Sequence, residues 1–491
     1  MATRALSTPE PREVLASRRV ERLDVAAVGL AALLTLALVV PDYDRRPFWF
    51  DELVSLEVAS SSWSALADYV ATVEANMALF HAMLRVWLWV GDGEAWARAL
   101  SVACAIATLP IFYALARRLY DRRTAVTAVL LLSVNVSFVG YSRDARSYAL
   151  TLLLVTSSTY ALVRAVDMSR RRDWVLYGAL AALAVWAHLF ASLVLLAQVA
   201  WLALERRSRP LRGAGFAAGT VAALLLPLGV ALVVAGQEPQ LDWLPRPGPQ
   251  KLPGLLLWFV ESRWTVVVYS VGVAAALVTA ALGWRRDHAA WPRRESLLLL
   301  WLLVPPAAAF VASYATPLYL YRYFLVCLPA LVLLAAAGFA RMRAAWLGIG
   351  LALLALALSV RTVDGCRPDC KIRHDDWESA GAYVVANAAP GDGLIVFPEQ
   401  VRTGLLAYLP EEDRPRLLYP ARWELTGGAS VGHDDLEPAL RDAERSERIW
   451  LVTWWLPADE VRAELAARAT RVSAKEFPGD VHVDLYEPRK G

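Results

Sequence analysis

Nucleotide-binding signatures are absent from this sequence. It has no Walker A loop, no GxGxxG motif before a helix, and neither the HExxH nor the H-x-E spacing of zinc enzymes. Use of nucleotide hydrolysis as an energy source is therefore not predicted. Only four cysteines occur among the 491 residues. Cys104 and Cys327 lie in apolar segments, whereas Cys366 and Cys370 form C-R-P-D-C in a polar stretch, which would permit a local disulfide if that stretch is exoplasmic.

A large charge of either sign is also missing. The 50 basic and 47 acidic residues give a net charge of +3, and the arginines occur in short clusters between apolar blocks. That grouping is typical of membrane topology and not of nucleic-acid binding. The first apolar run has no small-residue cleavage site, so we interpret it as an uncleaved span and not as a signal peptide. With 57% hydrophobic residues, 20 tryptophans and a mean hydropathy of +0.40, the chain is predicted to be a polytopic α-helical membrane protein.

The apolar blocks predict eleven transmembrane spans after a cytoplasmic tail at residues 1–22. The spans are placed at residues 24–40, 96–116, 124–140, 147–165, 174–187, 189–204, 214–235, 264–283, 296–313, 323–340 and 344–360. Arg18, Arg19 and Arg22 precede the first span and favour a cytoplasmic N-terminus. Interpreting His188 as the middle of one long helix would move the later arginine clusters outside, so the eleven-span count is favoured.

This threading places the main arginine clusters in the cytoplasm, as the positive-inside rule requires. They comprise Arg117, Arg118, Arg122 and Arg123; Arg164, Arg170, Arg171 and Arg172; Arg206, Arg207, Arg209 and Arg212; Arg285, Arg286, Arg293 and Arg294; and Arg341 with Arg343. The protein is therefore predicted to be a multi-pass protein of the cell membrane. Its functional groups are expected on the exoplasmic side, where the other set of loops carries a different set of polar residues.

Two soluble portions are predicted outside the membrane. The loop at residues 41–95 contains amphipathic patterns at 63–70 and 77–90 that indicate helices lying in the membrane interface. Residues 361–491 alternate strand-like runs, at 394–397 and 449–455, with helical ones. This segment predicts a small exoplasmic α/β domain following a transmembrane domain at residues 23–360.

Asp51 and Glu52, in WFDELVSL, are the strongest candidates for catalysis because two adjacent carboxylates follow the first span directly. One interpretation is structural, since acidic residues at this position also complement the positive end of the next helix. The functional interpretation makes Asp51 a general base that takes a proton from an acceptor hydroxyl. Glu52 would then orient Asp51 or help to hold a cation.

Three arginines lie where positive-inside bias disfavours them. Arg143 and Arg146 occupy the turn YSRDARSYAL, and Arg322 begins the span in TPLYLYRYF. Arginines near a helix end can simply extend toward headgroups. Bidentate binding of a lipid phosphate would explain their position better, and we predict that all three contact such a phosphate. Asp144, between the first two arginines, and Tyr321 are predicted as further substrate contacts.

His81 and His188 are lone histidines in apolar surroundings on the same side. Structural histidines are the commoner explanation for such residues, while substrate binding is the functional one. A histidine with one or two carboxylates would suffice for a divalent cation, although no zinc-like spacing supports one.

Taken together and in order, these motifs resemble the GT-C superfamily of polytopic glycosyltransferases that use polyprenyl-phosphate sugars. The resemblance is to family-39-like members, related to protein O-mannosyltransferases and lipid A aminoarabinose transferases, and covers residues 20 to about 345. It rests on WFDELVSL, NMALFHAMLRVWLWVGDGEAWARALS, YSRDARSYAL, WAHLFAS and YRYFLVCLPALVLL.

The resemblance implies transfer of a sugar from a polyprenyl-phosphate donor to a glycan, lipid or protein acceptor at the outer membrane face. It implies inversion at the anomeric carbon, with Asp51 as the acid of the first loop, Glu52 as its companion, and Arg143, Arg146 and Arg322 on the donor phosphate. Many relatives have a proline before the apolar run, or a further acidic-basic pair, where this chain has Asn76 and His81.

A rival hypothesis is a transporter or flippase for a lipid-linked substrate. Transporters commonly show two related halves with sites near the midplane, whereas the polar candidates here gather at one face. A membrane scaffold displaying the C-terminal domain would leave Asp51 unexplained. The transferase is therefore favoured, with the sugar and the acceptor left open.

Overall fold

In a computed structural model, the chain forms a bundle of membrane-type helices followed by a small mixed sheet. The structure describes residues 11–43, 47–205, 213–234, 244–287, 293–365, 375–398, 401–420, 436–454 and 458–489. Cys366 and Cys370, and with them the predicted disulfide, lie outside the described residues. Cys104 and Cys327 are buried free thiols in the bundle.

Most of the bundle consists of apolar helices of different lengths. Their bounds are α1 Pro11–Val39, α5 Gly93–Leu119, α6 Arg122–Ser133, α7 Val136–Ser142, α8 Tyr148–Met168, α9 Arg171–Ala187, α10 Ala191–Glu205, α11 Ala214–Val234, α13 Arg263–Asp287, α14 Arg293–Ala312, α15 Leu328–Arg341 and α16 Ala345–Gly365. Shorter helices α2 Phe50–Ser60, α3 Trp63–Thr72 and α4 Ala78–Trp87 form the loop after α1, and α12 Lys251–Val260 precedes α13.

Helices that can cross a membrane are fewer by length than the eleven spans predicted. Within the described residues, eight helices are long and apolar enough, and the α6–α7 pair, bent by 56°, makes nine if it is one span. The predicted spans at 174–187 and 189–204 correspond to α9 and α10, which have 17 and 15 residues. A straight span needs about 20 residues. The eleven-span topology and the sidedness of the loops therefore stay predictions.

Two breaks in the helices place polar residues at one end of the bundle. Asn135 separates α6 from α7, and its Oδ1 accepts hydrogen bonds from the backbone N–H groups of Ser137 and Phe138. Its amide also donates to the carbonyl of Phe259 at 3.1 Å, which ties α7 to α12. His188 has an extended backbone conformation and lies between α9 and α10. These are therefore two separate helices, as the sequence predicted.

The patterns at 63–70 and 77–90 correspond to α3 and α4. Trp63 and Trp89 are exposed, and their rings meet edge to face with centroids 6.3 Å apart. Exposed tryptophans with amphipathic helices are typical of a membrane interface. The interfacial placement of these helices remains a prediction.

The C-terminal region contains a five-stranded sheet in the order β2-β1-β3-β5-β4. The strands are β1 Gly393–Phe397, β2 Arg416–Tyr419, β3 Ile449–Trp454, β4 Ala469–Phe477 and β5 Val481–Pro488, with helices α17 Trp377–Asn387, α18 Val401–Leu406, α19 Leu436–Ala443 and α20 Asp459–Arg468. Strands β2, β1 and β3 are parallel, and β5 and β4 complete the sheet antiparallel. The strand-like runs at 394–397 and 449–455 coincide with β1 and β3. Helix α16 continues to Gly365, past the predicted start of this domain at residue 361.

Candidate active site

Asp51 lies in the first turn of α2 and faces two arginines from different parts of the chain. Its Oδ2 is 3.2 Å from a terminal nitrogen of Arg322 and 3.8 Å from one of Arg146. Arg146 also donates to the backbone carbonyl of Asp51 and to Ser55 Oγ, both at 2.9 Å. The Asp51 side chain remains 18% exposed, so it is held in place and still reachable. Arg146 and Arg322, predicted from separate motifs, are thus brought together on the predicted acid.

Glu52 is fully enclosed and makes a two-pronged ion pair. Its two carboxylate oxygens accept from Arg98 Nε and from a terminal nitrogen of Arg98, both at 2.8 Å. The same carboxylate accepts from the backbone N–H of Ala145 at 2.8 Å and from that of Trp49 at 3.4 Å. Glu52 therefore ties the start of α2 to α5 and to the arginine turn. This geometry favours an orienting role, and it matches the structural interpretation of an acid at a helix N-terminus.

Asp144 is buried between these groups. It accepts a hydrogen bond from the indole N–H of Trp49 at 2.9 Å. Burial, and next the negative charge of Glu52, raise the pKa of the Asp144 carboxyl above its ordinary value. A neutral Asp144 adds no negative charge beside the arginines. Its contacts identify it as part of the scaffold around Asp51, and direct substrate contact remains a prediction.

Two arginines of the site have guanidinium nitrogens that make no hydrogen bond within the described part of the chain. Among the described residues, the Nε atoms of Arg146 and Arg322 are buried and have no hydrogen-bond partner. The Arg322 guanidinium lies against the rings of Trp49 and Tyr323, at 5.5 and 5.9 Å from their centroids. Buried guanidinium donors without partners carry a desolvation cost that an anionic ligand would offset.

Arg143, the third predicted phosphate contact, is fully buried where α7 ends. Arg146 and Arg322 make the Asp51 ion pairs described above, and Arg143 lies at the start of the same turn as Arg146. Its predicted contact with a donor phosphate stays a prediction.

Glu74 is a further carboxylate near the site, and the sequence analysis did not single it out. It precedes α4, and its backbone N–H donates to the carbonyl of Tyr69, whose hydroxyl lies 3.4 Å from the Glu74 carboxylate. Burial raises the pKa of Glu74, the charge of Arg146 opposes this, and the charge of Asp51 adds to it. Glu74 was overlooked because a glutamate in an interfacial loop has no motif; only the fold brings it toward Arg146.

Both predicted histidines are buried beside the site. Burial, followed by the charge of Arg146, lowers the pKa of His81 to about 3. Burial and the charges of Arg146 and Arg322 likewise lower the pKa of His188 to about 3. His188 Nδ1 accepts from the backbone N–H of Phe190 at 3.3 Å, and its ring lies 4.9 Å from that of Tyr323. Neutral histidines do not supply positive charge to a phosphate, so their roles as substrate contacts are limited to hydrogen bonding and packing.

An apolar cavity lies among four helices of the bundle. It has a volume of about 490 Å³ and is lined by side chains of α12, α13, α14 and α15, including Leu255, Phe259, Val273, Leu302 and Leu331. Tyr321 links this cavity to Arg322, because its ring packs beside Trp258 of α12 and its hydroxyl lies against Gly254. Lys251 sits 5.1 Å from the Tyr321 ring centroid. Tyr321, the neighbour of Arg322 in the sequence, therefore packs on α12, the helix that lines one side of the apolar cavity.

Among the described residues, no group of three or more His, Cys, Asp and Glu side chains is placed to hold a metal ion. The divalent cation remains a prediction, and no chemical step below depends on one.

The model of one protein family matches the chain. It is described as dolichyl-phosphate-mannose-protein mannosyltransferase and matches residues 77–232, which span α4 to α11. The matched part includes Arg143, Arg146 and both histidines, but neither Asp51 nor Arg322. No curated protein matches the chain.

Solved structures share the whole architecture. ArnT from Cupriavidus metallidurans, in the apo state, matches with a TM-score of 0.62 at 14% identity, covering 95% of this chain and 98% of that one. The same protein bound to undecaprenyl phosphate gives 0.60 at 15% identity, covering 94% and 97%. The oligosaccharyltransferase of Archaeoglobus fulgidus gives 0.57 at 11% identity, covering 94% and 73%. The chain therefore has the GT-C fold of these membrane glycosyltransferase structures, and residues 77–232 match the mannosyltransferase family model.

Proposed function

We propose that the protein transfers a sugar from a polyprenyl-phosphate donor to a hydroxyl group of an acceptor at the membrane surface. The observation that carries this proposal is the convergence of Arg146 and Arg322 on Asp51, in a bundle that also contains an apolar cavity. The superfamily fold supports it, as does the undecaprenyl phosphate bound by ArnT and the dolichol-phosphate bound by the Archaeoglobus fulgidus enzyme AglB. The exoplasmic location and the general-base role of Asp51 are parts of the proposal.

The donor phosphate would bind to the open guanidinium donors. Arg322 is paired with Asp51 at 3.2 Å. The donor phosphate is a diester whose single negative charge is shared by two oxygens that accept the planar guanidinium fork, so it competes with Asp51 for Arg322. Donor binding would thereby release the Asp51 carboxylate from its ion pair with Arg322.

The chemistry then follows as a single displacement. Asp51 takes the proton of the acceptor hydroxyl, whose oxygen attacks the anomeric carbon. The bond from that carbon to the phosphate oxygen breaks, and the polyprenyl phosphate leaves with the electron pair. Arg146 and Arg322 stabilise the charge that develops on the leaving phosphate. Attack opposite the leaving group inverts the anomeric configuration.

The apolar cavity is the proposed place for the first isoprene units of the donor. Its lining is almost wholly aliphatic and aromatic, and Leu303 on its rim is 55% exposed where the bundle would meet lipid. An isoprenoid chain buries apolar surface there while its phosphate reaches Arg322 past Tyr321. The transporter hypothesis gains no such support, because the charged groups around Asp51 gather at one end of the helices.

A comparison of cells with and without the protein tests this proposal. Mass spectrometry of lipid extracts should show a polyprenyl-phosphate sugar accumulating when the protein is missing, together with loss of that sugar from an envelope glycan, lipid or protein. The purified protein in detergent, mixed with envelope material from cells that lack the protein as the source of acceptor, should then consume the accumulated donor. Consumption in micelles, where no compartments exist, supports a transferase. Loss of the envelope sugar in cells without any turnover in micelles would support the flippase instead.

A further inference from the structure

The C-terminal domain touches the backbone on both sides of the residue that precedes α2. The hydroxyl oxygen of Tyr408 accepts a hydrogen bond from the backbone N–H of Phe48 at 2.6 Å. The carboxylate of Asp375 lies 3.5 Å from the backbone nitrogen of Phe50. Residues 47–49 have no regular secondary structure, so their position depends on such contacts. Asp51 is the second residue after this segment.

Tyr408 also joins the buried ion-pair network next to Asp51. Its hydroxyl donates to the Glu94 carboxylate at 2.6 Å. Glu94 lies 3.7 Å from Arg98, and Arg98 holds both oxygens of Glu52. One hydroxyl therefore both receives a hydrogen bond from the catalytic loop and gives one to the network that orients it. Phenylalanine at this position would lose both bonds at once.

Apolar and polar contacts fix the same boundary over a wider area. The Phe50 ring packs on Trp454 at the end of β3, with centroids 4.7 Å apart. The Trp454 indole N–H donates to Asp375 at 3.3 Å. Farther along α2, Glu57 accepts a hydrogen bond from Thr403 Oγ1 of α18 at 2.7 Å. The C-terminal domain thus contacts α2 at its first residue and again two turns later, at Glu57.

From these contacts we infer that the C-terminal domain completes the active site, with Tyr408 as a positioning residue for the loop that carries Asp51. This inference rests on the proposed function. Among the described residues, the hydrogen bonds of the Tyr408 hydroxyl are with Phe48 and Glu94, and the ion pairs of Asp51 are with Arg146 and Arg322. Tyr408 acts through the backbone at Phe48 and through Glu94, so its loss should change the alignment of the base and leave donor binding intact.

The test compares full-length wild-type protein with Tyr408→Phe and the matched control Tyr383→Phe. Tyr383 belongs to the same domain, and its hydroxyl contacts Ser473, remote from the loop. The donor is the polyprenyl-phosphate lipid extracted from cells that lack the protein. We expect Tyr408→Phe to lower kcat by roughly 10-fold to 100-fold with donor KM within about twofold of wild type. Tyr383→Phe should match wild type in both constants.

A second measurement does not depend on activity. Hydrogen–deuterium exchange of the peptide covering residues 47–53 should be faster in Tyr408→Phe than in wild type and unchanged in Tyr383→Phe. Wild-type exchange and kcat in Tyr408→Phe would overturn the inference. Faster exchange in that variant, combined with no turnover of the extracted donor by the wild type, would refute the proposed function and leave the positioning contact standing. An equal loss of kcat in both variants would indicate general destabilisation of the domain and also overturn the inference.

Discussion

Arginine–carboxylate pairs occur at both ends of the helical bundle, and they differ in burial. At one end Arg122 pairs with Asp24 at 2.6 Å, with side chains 33% and 23% exposed. At the other end Arg98 pairs with Glu52 at 2.8 Å, with side chains 2% and 1% exposed. Exposed pairs contribute little to stability, whereas buried charges are costly to desolvate.

The first end thus resembles ordinary arginine clusters between spans, which also bind Asp167, Glu205 and Glu295. The second end maintains costly buried charges around a partly reachable carboxylate, which is typical of a functional site. The same residue types therefore serve topology at one end and, in the proposed function, chemistry at the other. Five predictions test this contrast.

The largest effect is expected for Asp51→Asn, which removes the proposed base while retaining its shape. We expect kcat to fall about 10³-fold, within the range that general-base catalysis contributes. The matched control is Asp167→Asn, whose carboxylate pairs with Arg118 and Arg293 at the opposite end. Its turnover should stay near that of wild type. Initial rates on the extracted donor measure both, and near-normal turnover by Asp51→Asn would remove Asp51 from the mechanism.

Replacement of Arg322 by lysine retains the charge and loses the planar fork. If Arg322 holds the donor phosphate, Arg322→Lys should raise donor KM by roughly 10-fold or more and also lower kcat, because the phosphate gains charge in the transition state. Arg118→Lys, at the opposite end, is the control and should change neither constant. If Arg322→Lys and Arg143→Ala both match wild type in KM and kcat, the phosphate-binding hypothesis fails.

Glu52→Gln tests stability at the same place. Breaking this buried pair removes the carboxylate charge 2.8 Å from Arg98 and leaves that of Glu94 at 3.7 Å. Loss of one partner costs about 3–5 kcal/mol in comparable buried pairs. Asp24→Asn breaks an exposed pair and should cost about 1 kcal/mol or less. Thermal unfolding of the two purified variants in one detergent compares them. Equal shifts in Tm would show that burial does not distinguish the two ends.

Filling the apolar cavity should affect only long donors. Ala307 lines the cavity, so Ala307→Trp should raise KM severalfold for a donor with a full polyprenyl chain and leave a short-chain analogue unaffected. Val311, on the same helix and 70% exposed, is absent from the lining, and Val311→Trp serves as the control. If Ala307→Trp leaves the KM of the long donor at its wild-type value, the lipid chain binds elsewhere.

The smallest effect is expected at Asp144, whose pKa is raised by burial and by Glu52. As pH rises above the ordinary carboxyl pKa of about 4, the unfolded chain loses this proton before the folded chain does, so stability declines until the raised pKa is passed. The amide introduced by Asp144→Asn has no such proton to lose and can still accept a hydrogen bond from Trp49. The Tm of Asp144→Asn should therefore improve relative to wild type as pH rises from about 4.5 to 8. A pH-independent difference would contradict the raised pKa.

Much of the site was predictable because its residues carry local signals. Asp51 was identified as one of two adjacent carboxylates just beyond the first span, and Arg146 and Arg322 as arginines where positive-inside bias disfavours them; the structure brings the three together. Strands β1 and β3 were identified by apolar runs, whereas the strand at 469–477 was not, because ATRVSAKEF is largely polar and exposed at the sheet edge.

The missed residues have no such local signal. Arg98 lies inside a membrane-type helix and Glu74 in an interfacial loop, and only tertiary packing pairs them with the site. Tyr408 lies 360 positions from Phe48 in the sequence, and its contact follows from docking of the C-terminal domain. The predicted count of eleven spans depended on short apolar runs, which length alone does not establish for α9 and α10.

The proposed exchange of Arg322 between Asp51 and the donor phosphate is tested most directly by undecaprenyl phosphate binding to Asp51→Asn. Removing the carboxylate charge releases Arg322 from its pair, so the variant should bind undecaprenyl phosphate at least as tightly as wild type while turnover is lost. Native mass spectrometry or thermal-shift titration gives the Kd, and the extracted donor gives the rate. Weaker binding by Asp51→Asn, or retained turnover, would contradict the proposed division between a carboxylate base and an arginine phosphate site.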